Sequence, residues 1–276
     1  MSHNKTHEVL TETELHVPVS FIIQMFVIVL TLASLIYGVT SWCIIKKFRN
    51  LRNYAYLNAM LASLLRLTFY SYNNVICNFI KVLSVYCVQT VSAYCYHYFI
   101  TVQNYWILVI CCLFYVDIVK VFNGVIQRRY LKCSLFAWGV PVITTVIYVF
   151  VISLFKSNII RNTIIIGYVI VLLPLFINLI LYVKIVISLF CCNNASASTA
   201  TNKWRRFYIA TLIFVLSDVM VVTCFIWDVF MPLVPVVGPV LLNLQTIIID
   251  IFVPLVKCNR ELWRDYFANR LRTNIT

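Results

Sequence analysis

The feature that most limits this chain is a series of seven apolar runs, each about 20 residues or longer, separated by short connections. A run of that length matches an α-helix crossing the roughly 30 Å hydrocarbon core of a bilayer. The runs cover about 18–45, 54–76, 87–122, 133–155, 163–190, 207–230 and 236–256. Of 276 residues, 62% are hydrophobic and 11% are charged. Soluble domains carry about 25% charged residues, so too few charges remain here to cover a water-exposed surface. The expected fold is an all-α membrane protein. A seven-transmembrane helix bundle fills 18–257, after a tail at 1–17 and before a short C-terminal amphipathic helix and tail at 258–276.

Charge placement predicts the orientation. The first seventeen residues contain no apolar core, so the first run is expected to act as its own membrane signal. Its N-terminal flank holds Glu8, Glu12 and Glu14 against Lys5, and its C-terminal flank holds Lys46, Lys47, Arg49 and Arg52. A bias of that sign places the N-terminus outside the cell. On that topology seventeen of the 22 basic residues face the cytosol. Lys5, Lys81, Lys156 and Arg161 face outward, and Arg66 lies within a run. A multi-pass protein, most simply of the plasma membrane, is expected. The sequon Asn4-Lys5-Thr6 would then be open to glycosylation.

The same pattern narrows the partners. The net charge of +13 is divided among short clusters rather than gathered on one polar module, so nucleic acid is not an expected partner and membrane lipid is. Most of the eleven cysteines fall inside apolar runs, where a thiol acts as a small hydrophobe. None has metal-ligand spacing, so no metal and no cofactor is expected. Cys258, just past the seventh run beside Lys257, suits acylation, as does the Cys191-Cys192 pair to a lesser degree. No HExxH, GxSxG, Walker A or paired-carboxylate pattern is present, and the chain is not expected to be an enzyme.

Ionisable residues inside apolar runs are costly, about 2.5–3.5 kcal/mol on insertion scales, and should face the bundle interior with partners. Arg66, Asp218 and Gln245 all fall roughly 17–18 Å from the inner surface at 1.5 Å per residue, and Asn104 about 20 Å. Those depths allow one polar core network. Its role is either to join helices or to rearrange when a ligand binds. Asp250 is shallower and Asp117 ends the third run. Pro141, Pro174 and Pro254 lie within runs and should shape or kink them.

Two stretches carry a resemblance. Arg52-Asn53-Tyr54-Ala55-Tyr56-Leu57-Asn58, followed by Leu64-Leu65-Arg66, resembles the start of the second span in secretin-type G-protein-coupled receptors. Tyr98-Phe99, Tyr105-Trp106, Asp117-Ile118, Arg128-Arg129-Tyr130 and Ala137-Trp138-Gly139-Val140-Pro141 look more like the Methuselah-like branch of that family. Leu242-Asn243-Leu244-Gln245 is similar to its seventh-span motif. The resemblance covers about 45–262 and marks Asn58, Trp106, Asp117, Trp138, Gly139 and Pro141 as structural motif positions. It also implies that the Arg66 and Gln245 positions share a central polar network.

The chain departs from that pattern at the inner polar lock. Tyr56 replaces the second-span histidine, Ile110 a glutamate, and Leu216 and Val219 the sixth-span proline–glycine pair. The outer connection at 154–162 has no cysteine, leaving Cys77 and Cys87 either to pair across their own loop or to stay free. The family's large ectodomain has no counterpart in seventeen outer residues, so a ligand is expected to enter the bundle or arrive with a partner.

The resemblance implies a receptor that transmits a ligand signal to a heterotrimeric G protein. Arg49, Arg52, Arg128, Arg129, Arg205 and Arg206 would lie on the docking face. Two alternatives stand beside it. One is a non-signalling heptahelical partner that dimerises with full-length receptors. The other is an insect-type odorant or gustatory channel subunit, which places its N-terminus inside, so glycosylation of Asn4 separates the two topologies.

Overall fold

The computed structural model describes residues 3–79, 85–119, 129–154, 159–191, Tyr208, Val222 and 263–268. All regular structure among them is helical. The long helices are α1 (His3–Ile44), α2 (Leu51–Phe79), α3 (Val85–Val119), α5 (Val140–Leu154) and α6 (Ile159–Cys191). A 3₁₀ turn, Lys46–Phe48, links α1 to α2. The short α4 (Arg129–Ser134) runs through a π-helical turn, Leu135–Gly139, into α5. The expected sixth and seventh runs lie outside the described residues, apart from Tyr208 and Val222.

Among the described residues, three stretches are long and apolar enough to cross a membrane: Ile22–Ile44, Thr90–Val116 and Tyr130–Val151. In α6 the described apolar part, Leu172–Ser188, is shorter. The helix α2 is less apolar because it carries Arg52, Asn53, Asn58 and Arg66. The helix α1 begins well ahead of its apolar part. The first seventeen residues contain neither glycine nor proline, so no residue in them strongly disfavours helix.

Helix periodicity explains how the elements pack. In α1 the positions Gln24, Val27, Thr31, Gly38, Ser41 and, just beyond the helix, Ile45 are buried, at steps of three, four or seven. The opposite face exposes Ile22, Phe26, Val29, Ile36 and Val39. One narrow stripe therefore meets protein and the rest stays apolar and exposed, as expected where lipid is the solvent. The buried stripe runs antiparallel to α2: Gln24 meets Ser71 and Trp42 meets Tyr54. Gly38 permits the approach, because a Cβ there would sit 2.5 Å from Leu57 Cδ2.

Helix α3 lies at the centre. Every residue from Thr101 to Ile110 is buried, whereas a helix with one exposed face would alternate. Its most extensive neighbour is α2, followed by α6. The reason is legible in side-chain size: Ala55, Ala59 and Ala62 form a small-residue stripe on α2 in one cluster with Val102, Trp106 and Ile110 of α3. Small residues let backbones approach closely, and van der Waals packing then supplies the association that lipid tails cannot. Fully buried Ala137 joins the same cluster from the π-helical turn.

Candidate functional site

Two connected zones gather the polar and aromatic side chains. The first lies where α1 ends, α2 begins and α4 approaches. Its hub is Tyr54. The Tyr54 hydroxyl is hydrogen-bonded to Ser134 Oγ at 2.8 Å. Its ring stands edge-on to Trp106 at 5.8 Å and to Tyr130 at 5.3 Å, and is tilted against Trp42 at 5.9 Å. One turn along α2, Asn58 accepts a hydrogen bond at Oδ1 from Trp138 Nε1 at 3.3 Å. Asn58 Nδ2 donates to the Tyr54 carbonyl at 2.9 Å. The Trp138 carbonyl in turn accepts from Tyr98 of α3 at 3.2 Å.

The π-helical turn gives these bonds their setting. Pro141 has no N–H to donate, and helices commonly widen locally beside such a break. Here the turn ends at Gly139, two residues before Pro141, with Val140 N–H returning to the Phe136 carbonyl. Tyr98 thus serves a carbonyl in the locally rearranged backbone. Gly139 has nothing within 4 Å of the position its Cβ would take, so its small size is not required by packing here.

The second zone is a belt of buried polar groups through the middle of the bundle. Arg66 on α2 is 2% exposed and Asn104 on α3 is 2% exposed. Thr31 on α1, Ser63 on α2, Thr101 and Gln103 on α3, and Asn178 on α6 are equally withdrawn. Farther along, Ser71 Oγ reaches Gln24 Oε1 at 3.5 Å and Ser92 Oγ donates to the Phe69 carbonyl at 3.0 Å. Among the described residues, Thr31 Oγ1, Asn104 Nδ2 and Trp106 Nε1 have no hydrogen-bond partner. Each such group in an apolar interior costs about 1–3 kcal/mol.

The sequence-predicted residues divide as follows. Asn58 and Trp138 are hydrogen-bonded across 80 positions, and Trp106 touches the same hub through Tyr54. Arg66 and Asn104 are both buried, whereas Asp218 and Gln245 lie outside the described residues. So do Arg128, Arg205, Arg206, Asp250 and Cys258, and the side chains of Asn4, Asp117 and Arg129. Arg49 folds back, donating to the Trp42 and Cys43 carbonyls at 2.8 and 2.6 Å. The Arg52 guanidinium stands over the Phe114 ring, 5.5 Å from its centroid. Pro141 is buried.

Several participants were not singled out by sequence reasoning. Gln24, Thr31, Gln103 and Asn178 are uncharged, and attention to ionisable residues passes over them. Trp263, expected from the sequence on the apolar side of the C-terminal amphipathic helix, has a partner that the sequence did not indicate: its Nε1 donates to Ser41 Oγ at 3.1 Å, with its ring 6.2 Å from that of Tyr37. No protein-family model matches the chain, and no curated protein is similar to it.

Proposed function

We propose that the chain is a seven-span membrane protein of G-protein-coupled-receptor type. It passes a signal from a ligand held within the bundle to a heterotrimeric G protein on the cytosolic side. The apolar stretches long enough to span a bilayer and the segregation of basic residues support the membrane topology, with the N-terminus extracellular. The observation that carries the receptor reading is the hydrogen bond from Trp138 to Asn58. It joins the two stretches, at 52–66 and 137–141, on which the resemblance to secretin-type receptors rests. The buried Arg66 and Asn104 support an interior polar network able to exchange partners when a ligand enters.

The test measures second messengers in cells expressing the chain, without added ligand, beside a surface-expression control. Basal signalling above vector, lost in Asn58→Leu at equal surface level, is the expected result. Basal levels equal to vector across cyclic nucleotide, inositol phosphate and calcium readouts would remove G-protein coupling by the chain alone.

A second reading is favoured by one specific observation. Ile110, where the resemblance calls for a glutamate, is 1% exposed and packed in the apolar cluster with Trp106 and Phe114. A bundle without that polar lock fits a non-signalling partner that dimerises with full-length receptors. Co-precipitation with a co-expressed receptor, together with silent second-messenger assays, is the outcome that selects it.

A further inference from the structure

The connection between α1 and α2 is built as a rigid basic turn. Ile45 and Phe48 are 6% and 5% exposed, while Lys46 and Lys47 between them face outward. Three backbone bonds fix the turn: Phe48 N–H to the Ile45 carbonyl at 2.9 Å, Arg49 N–H to Lys46 at 3.1 Å and Asn50 N–H to Phe48 at 2.8 Å. Asn53 Nδ2 also donates to the Phe48 carbonyl at 3.0 Å, and Asn53 N–H donates to Asn50 Oδ1 at 2.8 Å. Arg49 is committed to carbonyls at the end of α1, where a cation suits the negative pole of the helix dipole. Lys46 and Lys47 have no such commitment. Among the described residues neither makes an ion pair or a side-chain hydrogen bond.

Depth and surroundings narrow what this pair would meet. The apolar stretch of α1 ends at Ile44, so Lys46 lies about 3 Å farther along the axis, at headgroup level if α1 spans the bilayer. Trp42, four residues before Lys46, has the place of an interfacial aromatic. Tyr130 donates from its hydroxyl to the Arg49 carbonyl at 3.3 Å and sets its ring against Trp42 and Tyr54. That contact brings the first turn of α4, which begins at Arg129, beside the basic turn.

We propose that the Lys46–Phe48 turn binds the phosphomonoester groups of a polyphosphorylated inositol lipid. A phosphomonoester carries about −1.5 to −2 charge at pH 7, compared with −1 on the diester of ordinary phospholipids. Two successive lysines on a turn whose backbone is already ordered by five hydrogen bonds suit that higher charge density, and only their side chains need to be ordered at binding. General attraction to an anionic leaflet acts on any exposed lysine, Lys184 of α6 included. Two lysines carried side by side on one ordered backbone turn are what should distinguish this site. The proposal rests on α1 being a membrane span and is independent of G-protein coupling.

The test titrates the purified full chain in neutral detergent micelles with fluorescent phosphatidylinositol bisphosphate, followed by anisotropy. Lys46→Ala/Lys47→Ala is expected to weaken binding more than about tenfold, the loss that follows from removing even one hydrogen bond between charged groups. Lys46→Arg/Lys47→Arg and Lys184→Ala should keep it. Phosphatidylserine at equal total charge should not displace the probe, and soluble inositol trisphosphate should bind more weakly than the lipid. Unchanged affinity in the double alanine variant overturns the proposal. So does displacement by phosphatidylserine, which would mean general charge attraction only, or equal affinity for the soluble phosphate. Both ends of the bundle are open in micelles, so a wrong orientation in cells would leave this titration untouched.

Discussion

Replacing Tyr54 tests whether the α1–α2–α4 junction is held by one residue. Its ring meets Trp42, Trp106 and Tyr130 at centroid distances of 5.9, 5.8 and 5.3 Å. Those distances fall in the range where aromatic pairs contribute about 0.5–1.5 kcal/mol each beyond area burial. Tyr54→Phe keeps all three contacts and removes only the 2.8 Å bond to Ser134. Polar contacts between membrane helices average about 0.6 kcal/mol, so that loss is small. Tyr54→Ala removes the ring as well, and large aromatic-to-alanine changes in cores cost about 3–5 kcal/mol. The assay is thermal unfolding of detergent-solubilised protein followed by size-exclusion fluorescence. With about 2–4 °C per kcal/mol for a chain of this class, Tyr54→Phe should shift the midpoint by a few degrees at most. Tyr54→Ala should lower it by about 6–20 °C. Ser134→Ala should match Tyr54→Phe, and the double variant should cost no more than either, since both remove one bond. Equal, small shifts for Phe and Ala at position 54 would refute the hub.

Other perturbations follow from local geometry. Gly38→Ala puts a Cβ 2.5 Å from Leu57 Cδ2. The close atom is the far end of the Leu57 side chain, which can turn aside, so the overpacking cost should be about 1 kcal/mol and largely offset by the gain in helix propensity; in a Leu57→Ala background the same change should raise the midpoint. Gly139→Ala meets open space and should leave midpoint and surface expression unchanged, although Gly139 lies in a motif. If Arg66 and Asp218 pair, as their matching depths along the sequence allow, Asp218→Asn should reduce surface expression, and a second change, Arg66→Gln, should partly restore it. Breaking one partner leaves a buried charge, whereas removing both leaves neutral groups. Zero coupling in that cycle would show that the two residues do not meet.

The helices were legible because apolar length and basic punctuation are properties of composition along the chain. Burial direction was less so. Thr31 and Thr40 both sit in the first apolar run, yet Thr31 is 1% exposed while Thr40 faces outward. Nine residues at 100° apart place them on opposite faces, and sequence does not say which face meets protein. Asn58 and Trp138 were flagged by motif, but a bond across 80 positions needs α2 and the fourth apolar run to be neighbours. The Trp263–Ser41 contact spans 222 positions and has no local signal at all. The π-helical turn left only an indirect trace, Pro141, because a proline fits a simple kink as readily. Arg49 and Arg52 stand out in the sequence by charge alone, and their contacts within the chain, to the Trp42 and Cys43 carbonyls and to the Phe114 ring, come from the fold.

The most direct test of the seven-span reading is the sidedness of the two ends. Epitope tags are placed before Met1 and after Thr276 and stained on intact and then permeabilised cells that carry the protein at the surface. An odd number of crossings with the N-terminus outside predicts an N-terminal tag bright on intact cells and a C-terminal tag visible only after permeabilisation. Glycosylation at Asn4, removed by Asn4→Gln, should accompany it. Both tags on the same side would contradict seven crossings. An N-terminal tag hidden until permeabilisation would contradict the orientation, and with it the receptor reading.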